Sequence, residues 1–146
     1  MDEERYYRWI DSLNDFFVKC ITEEIKRTLG MEKEFIRSAE KDLIAAKCSE
    51  AMIQEGVCRP FFTKNHNPDE KEFHRSIFSY YNDWEIKQAI EKMAYGFLES
   101  PDHYLDFKFF PVIGMGIAVK KIGEDRVCLY FTLLLGKEAS EAILVN

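Results

Sequence analysis

Apolar residues in the first quarter of the chain recur at intervals of three and four positions. They are Trp9, Ile10, Leu13, Phe16, Phe17, Cys20, Ile21, Ile25 and Leu29. This spacing puts them on one face of a helix, which Gly30 ends. A second helical pattern runs from Glu32 to Glu55, with Gly56 in position for a left-handed residue at its end. The pattern predicts two antiparallel helices joined by a tight turn.

The middle of the chain alternates between irregular and regular patterns. Val57 to Phe73 is rich in Pro, Asn, Lys and Arg, a composition that predicts a loop. Ser76 to Tyr81 contains strand formers, but it is short enough to be either a strand or an aromatic extension of that loop. Asn82 or Asp83 can cap a third helix, whose apolar stripe ends before Pro101.

Two β-rich runs follow an aromatic connection, Val112 to Ile122 and Arg126 to Leu135, and a Gly-Glu-Asp turn separates them. This arrangement predicts an antiparallel hairpin. Both runs are almost continuously apolar, which indicates strands that are covered on both faces. Gly114 and Gly116 share one face, where another backbone or a bulky side chain can approach closely. The order of elements predicts one α+β domain over residues 1–146, a three-layer α-β-α sandwich with mainly N-terminal helices and a C-terminal antiparallel β-hairpin.

Composition excludes several classes of function. The chain has 146 residues, of which 47% are hydrophobic, and a net charge of −6, so it can form a packed core and repels a nucleic-acid backbone. Its apolar runs are shorter than the roughly 20 residues of a membrane-spanning helix. The acidic start of the chain does not resemble a secretory signal. We therefore expect a soluble cytoplasmic protein, or a secreted one if the chain is a mature fragment.

The four cysteines, Cys20, Cys48, Cys58 and Cys128, include no C-x-x-C pair and no Cys/His spacing typical of a metal site. Buried, reduced thiols are the favoured interpretation, and a structural disulfide is the alternative.

The motifs of P-loop proteins, dinucleotide-binding proteins, zinc proteases and serine hydrolases are absent from the sequence. Cys58, near His66, is the one candidate for a cysteine nucleophile.

Aromatic residues crowd the two connections that flank the third helix. They are Phe61, Phe62, Phe73, Phe78, Tyr80, Tyr81, Tyr104, Phe107, Phe109 and Phe110. Most are expected to fill the core of a small sandwich. If several line a surface groove instead, they suit an apolar or lipid-like ligand or a protein partner.

Three sequence motifs in the second half of the chain occur in an order and at a spacing that can be compared with those of known families. They are F-L-E-S-P-D-H-Y from Phe97, F-F-P-V-I-G-M-G-I-A-V from Phe109, and Y-F-T-L-L-L-G from Tyr130. Together they resemble the C-terminal half of bacterial and archaeal SCP-like domains of the CAP superfamily. With Asp42-Leu43 and the segment Phe61 to His66, the resemblance covers residues 40–136 in patches.

The resemblance implies an α-β-α sandwich with a surface cleft, in which two histidines and two acidic residues can bind a divalent metal, commonly zinc. His66 and His103 fall on the two histidine positions. The acidic positions fall near Arg75 or Ser76 and near Ser100, so the carboxylates are missing. Two imidazoles alone make a weak zinc site, and an Arg beside them adds repulsion.

The ligand-binding cleft that the resemblance implies includes Asn65, His74, Arg75, Ser100 and Tyr104 in addition to the two histidines. Considered without the family, His66 is a solvated loop histidine. His103 can interact with the last carbonyls of the preceding helix.

These observations favour a non-catalytic binding or interaction module with a degenerate CAP-type cleft, no cofactor, and an apolar, lipid-like or protein ligand. One alternative is a zinc-dependent hydrolase that uses His66 and His103. The other is a homo-oligomeric structural protein, for example a homodimer that buries exposed aromatic residues.

Overall fold

A computed structural model describes residues 2–56 and 69–137. Four helices and four strands follow one another in these residues. They are α1 (Glu3–Leu29), β1 (Ile36–Arg37), α2 (Ala39–Glu55), β2 (Glu70–Tyr80), α3 (Asp83–Glu99), α4 (Pro101–Phe109), β3 (Val112–Lys121) and β4 (Arg126–Gly136).

The four strands form one mixed sheet in the order β1-β3-β4-β2. β1 pairs in parallel with β3, and Ile36 lies opposite Val112. β3 and β4 form the predicted antiparallel hairpin. β2 pairs antiparallel with β4 along its whole length, so that His74 lies opposite Thr132. Among the strands that the structure describes, β1 and β2 are therefore the edge strands.

Helices cover both faces of this sheet. Met115 and Ile117 on β3 belong to the main core, which they share with the apolar faces of α1 and α3. Gly114 and Gly116 lie on the opposite face of β3, where a Cβ atom on either would be within 3.0 Å of backbone atoms of α2. The close backbone approach that the two glycines predict is thus confirmed, and so is the α+β, three-layer α-β-α architecture.

The helices begin and end at the residues that local chemistry favours. Asp2, Ser38 and Asn82 each accept a hydrogen bond from a backbone N–H in the first turn of α1, α2 and α3. Gly30 and Gly56 adopt the left-handed conformation that ends α1 and α2.

The predicted pairing of the first two helices is wrong. α2 begins at Ala39 instead of Glu32, and α1 and α2 lie on opposite faces of the sheet. The intervening segment bonds to the sheet edge, where Ile36 N donates to Pro111 O at 2.8 Å and Ser38 N donates to Ile113 O at 3.0 Å. These hydrogen bonds with β3 replace the intrahelical ones that the local pattern favours.

Two further elements differ from the sequence pattern. β2 starts at Glu70, so the predicted loop is wrong over residues 70–73, and the short strand near Ser76 to Tyr81 extends over 11 residues. Its hydrogen bonds go to β4, a partner that the local sequence does not reveal. α4 replaces part of the predicted aromatic connection, because its Phe107 is fully buried in the core.

Cys20, Cys48 and Cys128 are buried and form no disulfide, as the sequence predicts, while Cys58 lies outside the described residues. No helix in residues 2–56 and 69–137 is both long and apolar enough to cross a membrane.

Candidate functional site

A cluster of polar side chains lies between α2 and the sheet. It consists of Cys48, Ser49, Glu72, His74 and Thr132, and we call it the Cys48 cluster. Alternation along β2 puts Glu72 and His74 on the same face, and the strand register puts Thr132 opposite His74. Cys48 and Ser49 come from the face of α2 that packs on this sheet.

The hydrogen bonds of the cluster run in one direction. Ser49 Oγ lies 2.9 Å from Gly116 O, and it must donate its single hydrogen there because a carbonyl only accepts. Thr132 Oγ1, 2.9 Å from Ser49 Oγ, is then the donor to Ser49. His74 Nδ1, 3.3 Å from Thr132 Oγ1, donates in turn to the threonine. Nδ1 of His74 therefore carries a proton.

The other imidazole nitrogen faces a carboxylate. His74 Nε2 lies 2.8 Å from Glu72 Oε2, and the two side chains are 8% and 17% exposed. Burial lowers the pKa of His74, but contacts with Cys48 and Glu72 outweigh it and raise the pKa to about 9. At neutral pH His74 is an imidazolium that donates from both nitrogens.

The thiol of Cys48 is next to this cation, with Sγ 3.7 Å from His74 Nδ1. One ring nitrogen of His74 thus faces the sulfur of Cys48, and the other faces the carboxylate of Glu72. Cysteine nucleophiles use this arrangement, in which an imidazole stabilises the thiolate and a third group orients the ring. Cys48 is only 1% exposed.

His103 lies on the opposite side of the sheet, inside an aromatic box. Its ring centroid is 4.7 Å from that of Phe73 and 5.8 Å from that of Phe97. The guanidinium of Arg75 lies 4.7 Å from the centre of the Phe97 ring. Burial, and then the charge of Arg75, lower the pKa of His103.

This environment gives little support to His103 as a metal ligand. Nδ1 of His103 is buried and accepts no hydrogen bond from the described residues. The charge of Arg75 lowers the pKa of the ring, and the smaller effects of Asp106 and Asp102 raise it. Residues 2–56 and 69–137 contain no group of three or more His, Cys, Asp or Glu side chains that could hold a metal ion. His66, the other implied ligand, lies outside the described residues.

The structure separates the remaining residues of the implied cleft. His74 and Arg75 are neighbours on β2 and point to opposite faces, with the Arg75 side chain over Phe97. Ser100 lies at the junction of α3 and α4 and makes no side-chain cap, and Tyr104 is partly buried on α4. Asn65 lies outside the described residues. Among these, Arg75 and His103 approach each other, and His74 belongs to the Cys48 cluster.

Exposed aromatic side chains lie along the outer strand of the sheet. Phe78 and Tyr80 share the α2-side face of β2 and are 62% and 51% exposed. The guanidinium of Arg126 lies 5.1 Å from the Tyr80 ring centre. We call Phe78 and Tyr80 the aromatic edge.

Sequence reasoning identified His74 but missed the other members of the Cys48 cluster. The spacing Glu72-x-His74 would have indicated a shared strand face if β2 had been recognised. Cys48 and Ser49 would have stood out as polar groups on the sheet-facing side of a helix. Their contact with His74 depends on the strand order, which no local pattern encodes.

Comparison with known proteins adds information on the fold alone. No protein-family model and no curated protein sequence matches the chain. Among solved structures, the chain is similar to an outer surface protein from Borrelia burgdorferi, with a TM-score of 0.51 at 12% identity. The match covers 88% of this chain and 93% of that protein. At this identity the likeness supports a shared architecture.

Proposed function

We propose that this chain is a non-catalytic, CAP-like interaction module that binds an extended segment of a partner protein along β2. The observation that carries the proposal is the aromatic edge, two large side chains more than half exposed on an edge strand. The SCP-like motifs and the α-β-α architecture agree with such a module.

An edge strand offers main-chain hydrogen bonds to a partner. β2 is 11 residues long and bonds to β4 on one side. Within residues 2–56 and 69–137, no strand pairs with its other side. Natural proteins usually shield such an edge, because its unpaired N–H and C=O groups can accept another strand. An added peptide strand would gain its affinity from this backbone and its specificity from neighbouring side chains.

The side chains of β2 favour a protein segment over a lipid-like ligand. Phe78 and Tyr80 stand two residues apart and form a row instead of an enclosed cavity, so they match alternate side chains of an extended peptide. Arg126 beside Tyr80 adds a cationic group that can pair with an acidic residue of the partner. Rigid aromatic side chains next to an Arg are typical of residues that dominate binding energy at protein interfaces.

A zinc-dependent hydrolase has less support. His103 is held in an aromatic box beside Arg75, and among the described residues it belongs to no group of three or more metal-binding side chains. We therefore derive no reaction through a metal.

Selection from a displayed library of linear peptides tests the proposal. We expect enriched sequences with apolar residues at alternate positions, whose affinity falls about tenfold or more in Phe78→Ser, the size of a modest interface hot spot. Phe109→Ser is the matched control, because Phe109 is 63% exposed and lies on α4. Its affinity should equal that of the wild type.

Two results would overturn this function. One is the absence of any peptide that distinguishes Phe78→Ser from Phe109→Ser. The other is a wild-type dimer in light scattering that Phe78→Ser converts to a monomer, since a second copy of the chain would then occupy the edge.

A further inference from the structure

We propose that Cys48, His74 and Glu72 form a reactive-thiol site that is oxidised by hydrogen peroxide or a comparably small hydroperoxide. Cys48 Sγ is the nucleophile, His74 supplies positive charge and a proton, and Glu72 positions the imidazole. The site is separate from the aromatic edge, so the two proposals succeed or fail independently.

The geometry gives each group its role. Sγ of Cys48 lies 3.7 Å from Nδ1 of His74, close enough to share the single Nδ1 hydrogen with Thr132 Oγ1, which lies at 3.3 Å. Nε2 of the same ring lies 2.8 Å from Glu72, which fixes the ring plane and balances its charge. Sulfur and carboxylate therefore act on opposite nitrogens, and the ring cannot turn without losing both contacts.

The hydroxyl groups fix a hydrogen on Nδ1 of the imidazole, and the Glu72 side chain at Nε2 is the acceptor for the second ring hydrogen. Because Ser49 donates to Gly116 O, Thr132 must donate to Ser49 and accept from His74 Nδ1. The raised pKa of His74, about 9, agrees with this direction. A cation this close to a sulfur stabilises the thiolate, the form in which cysteine is nucleophilic.

Burial restricts the reactant to a very small molecule. Cys48 is 1% exposed and lies under α2, whose backbone packs against Gly116. A peptide or acyl substrate is too large to reach Sγ at this exposure. Hydrogen peroxide is little larger than water and can use the same transient openings, and the Glu72 side chain, 17% exposed, connects the cluster to solvent.

The proposed step balances in atoms and electrons. The Cys48 thiolate attacks one oxygen of the peroxide, an S–O bond forms and the O–O bond breaks. Sulfur loses two electrons to give a sulfenic acid, and the departing hydroxide takes the Nδ1 proton of His74 to leave as water. His74 is neutral afterwards and regains its proton from solvent.

Two other thiols of the chain serve as internal controls. Cys20 and Cys128 are buried too, and burial raises the pKa of both, to about 11 for Cys20. At pH 7 these thiols are protonated. A difference in oxidation between them and Cys48 therefore reports the neighbouring imidazolium and not burial.

The experiment exposes the folded chain, carrying Cys58→Ser to remove the remaining thiol, to hydrogen peroxide at pH 7. Samples are quenched in denaturant with dimedone, which traps sulfenic acid, and each cysteine is quantified by peptide mass spectrometry. An ordinary thiol is ionised to about 3% at pH 7, and a thiolate of lowered pKa is intrinsically less nucleophilic. Because burial raises the pKa of Cys20 and Cys128, these thiols are ionised to a still smaller fraction. We therefore expect Cys48 to be oxidised at least on the order of tenfold faster than either.

Two variants test the assigned roles. His74→Gln should reduce the oxidation rate of Cys48 to that of Cys20, and Glu72→Gln should reduce it by a smaller factor. In the chain with native His74 and Glu72, the rate of Cys48 oxidation by hydrogen peroxide should rise less steeply with pH than the rate for Cys20. This comparison does not depend on the folding of a site variant. Equal oxidation of the three thiols in the native chain, or a Cys48 rate that both variants leave unchanged, would overturn the proposal.

Discussion

The imidazole of His74 and the carboxylate of Glu72 meet at 2.8 Å across a single intervening residue of β2. Side chains two apart on a strand lie on the same face, so this contact follows from the alternation of the strand. Both side chains are mostly buried. Water and salt therefore screen the attraction between the imidazolium and the carboxylate only weakly, and this attraction contributes to the stability of the fold.

Stability should fall as the pH rises through the pKa of His74. The pKa is about 9 in the folded chain and about 6.5 when unfolded, so the stabilisation is complete below pH 6.5 and lost toward pH 9. The His74 shift alone corresponds to about 3 kcal/mol in the free energy of unfolding. A Cys48 thiolate binds one proton fewer in the folded chain than in the unfolded chain, which offsets part of this decline below about pH 8.5, so the net loss should be smaller. Urea titrations between pH 6 and 9.5 would measure it. His74→Gln should flatten the profile, and an equally steep decline in that variant would contradict the assignment.

Gly116→Ala should destabilise the fold strongly. The added Cβ would collide with backbone atoms at Ala45 and Ala46, which cannot move without shifting α2. Overpacking of this kind costs about 1 to 3 kcal/mol and occasionally more. Thermal or urea unfolding would measure the loss.

Gly96→Ala is the matched control for that substitution. Nothing lies within 4 Å of a Cβ at Gly96, which is in the interior of α3. Ala should therefore raise stability by about 0.5 to 1 kcal/mol. Similar unfolding midpoints for both variants would mean that α2 does not press on β3 at Gly116.

His103→Phe should leave the protein at least as stable as the wild type at neutral pH. Phe fits a box formed by Phe73 and Phe97, and it removes a buried Nδ1 without a hydrogen-bond partner among the described residues. The pKa of His103 is lowered, so its contribution is present above about pH 6.5 and is lost as the pH falls. The variant should lose less stability on mild acidification.

Zinc titration distinguishes this structural role from metal binding. If His103 is a packing residue, the affinity of the wild type for zinc, measured by calorimetry, should not change in His103→Phe. A marked loss of zinc affinity in a folded variant would restore the metal site that the SCP-like resemblance implies.

Ser49→Ala should cost about 1 to 3 kcal/mol of stability, because it leaves Gly116 O and the Thr132 hydroxyl without their partner in a buried site. Ser12→Ala is the control, since Ser12 bonds to Trp9 O on an exposed part of α1. Chemical denaturation of the two variants gives the comparison. Equal effects would show that the hydroxyl chain contributes little.

The sequence predicts the structure correctly where an element depends on residues close to it in the chain. The periodicity of α1 and α3, the turn chemistry of the hairpin and the paired glycines of β3 each report a local requirement, and the structure has all of them. Glu32 to Ser38 and the start of β2 were mispredicted because their hydrogen-bond partners, β3 and β4, are far away in the chain.

The candidate sites show the same limit. His74 could be selected as a polar residue, but Cys48 reaches it only because α2 lies over a sheet in which β2 is next to β4. The exposure of Phe78 likewise follows from the edge position of β2. Nothing in its apolar, aromatic character separates it in sequence from Phe73, which is buried.

The order of the strands also determines when the chain can fold during synthesis. β1 and β2 have no partner among the described residues other than β3 and β4, which the ribosome makes after all four helices. Until Gly136 has emerged, the apolar faces of α1 and α2 have no complete sheet to cover them. We expect nascent chains that end before β4 to remain open and prone to capture by chaperones, with structure forming in one late, cooperative step.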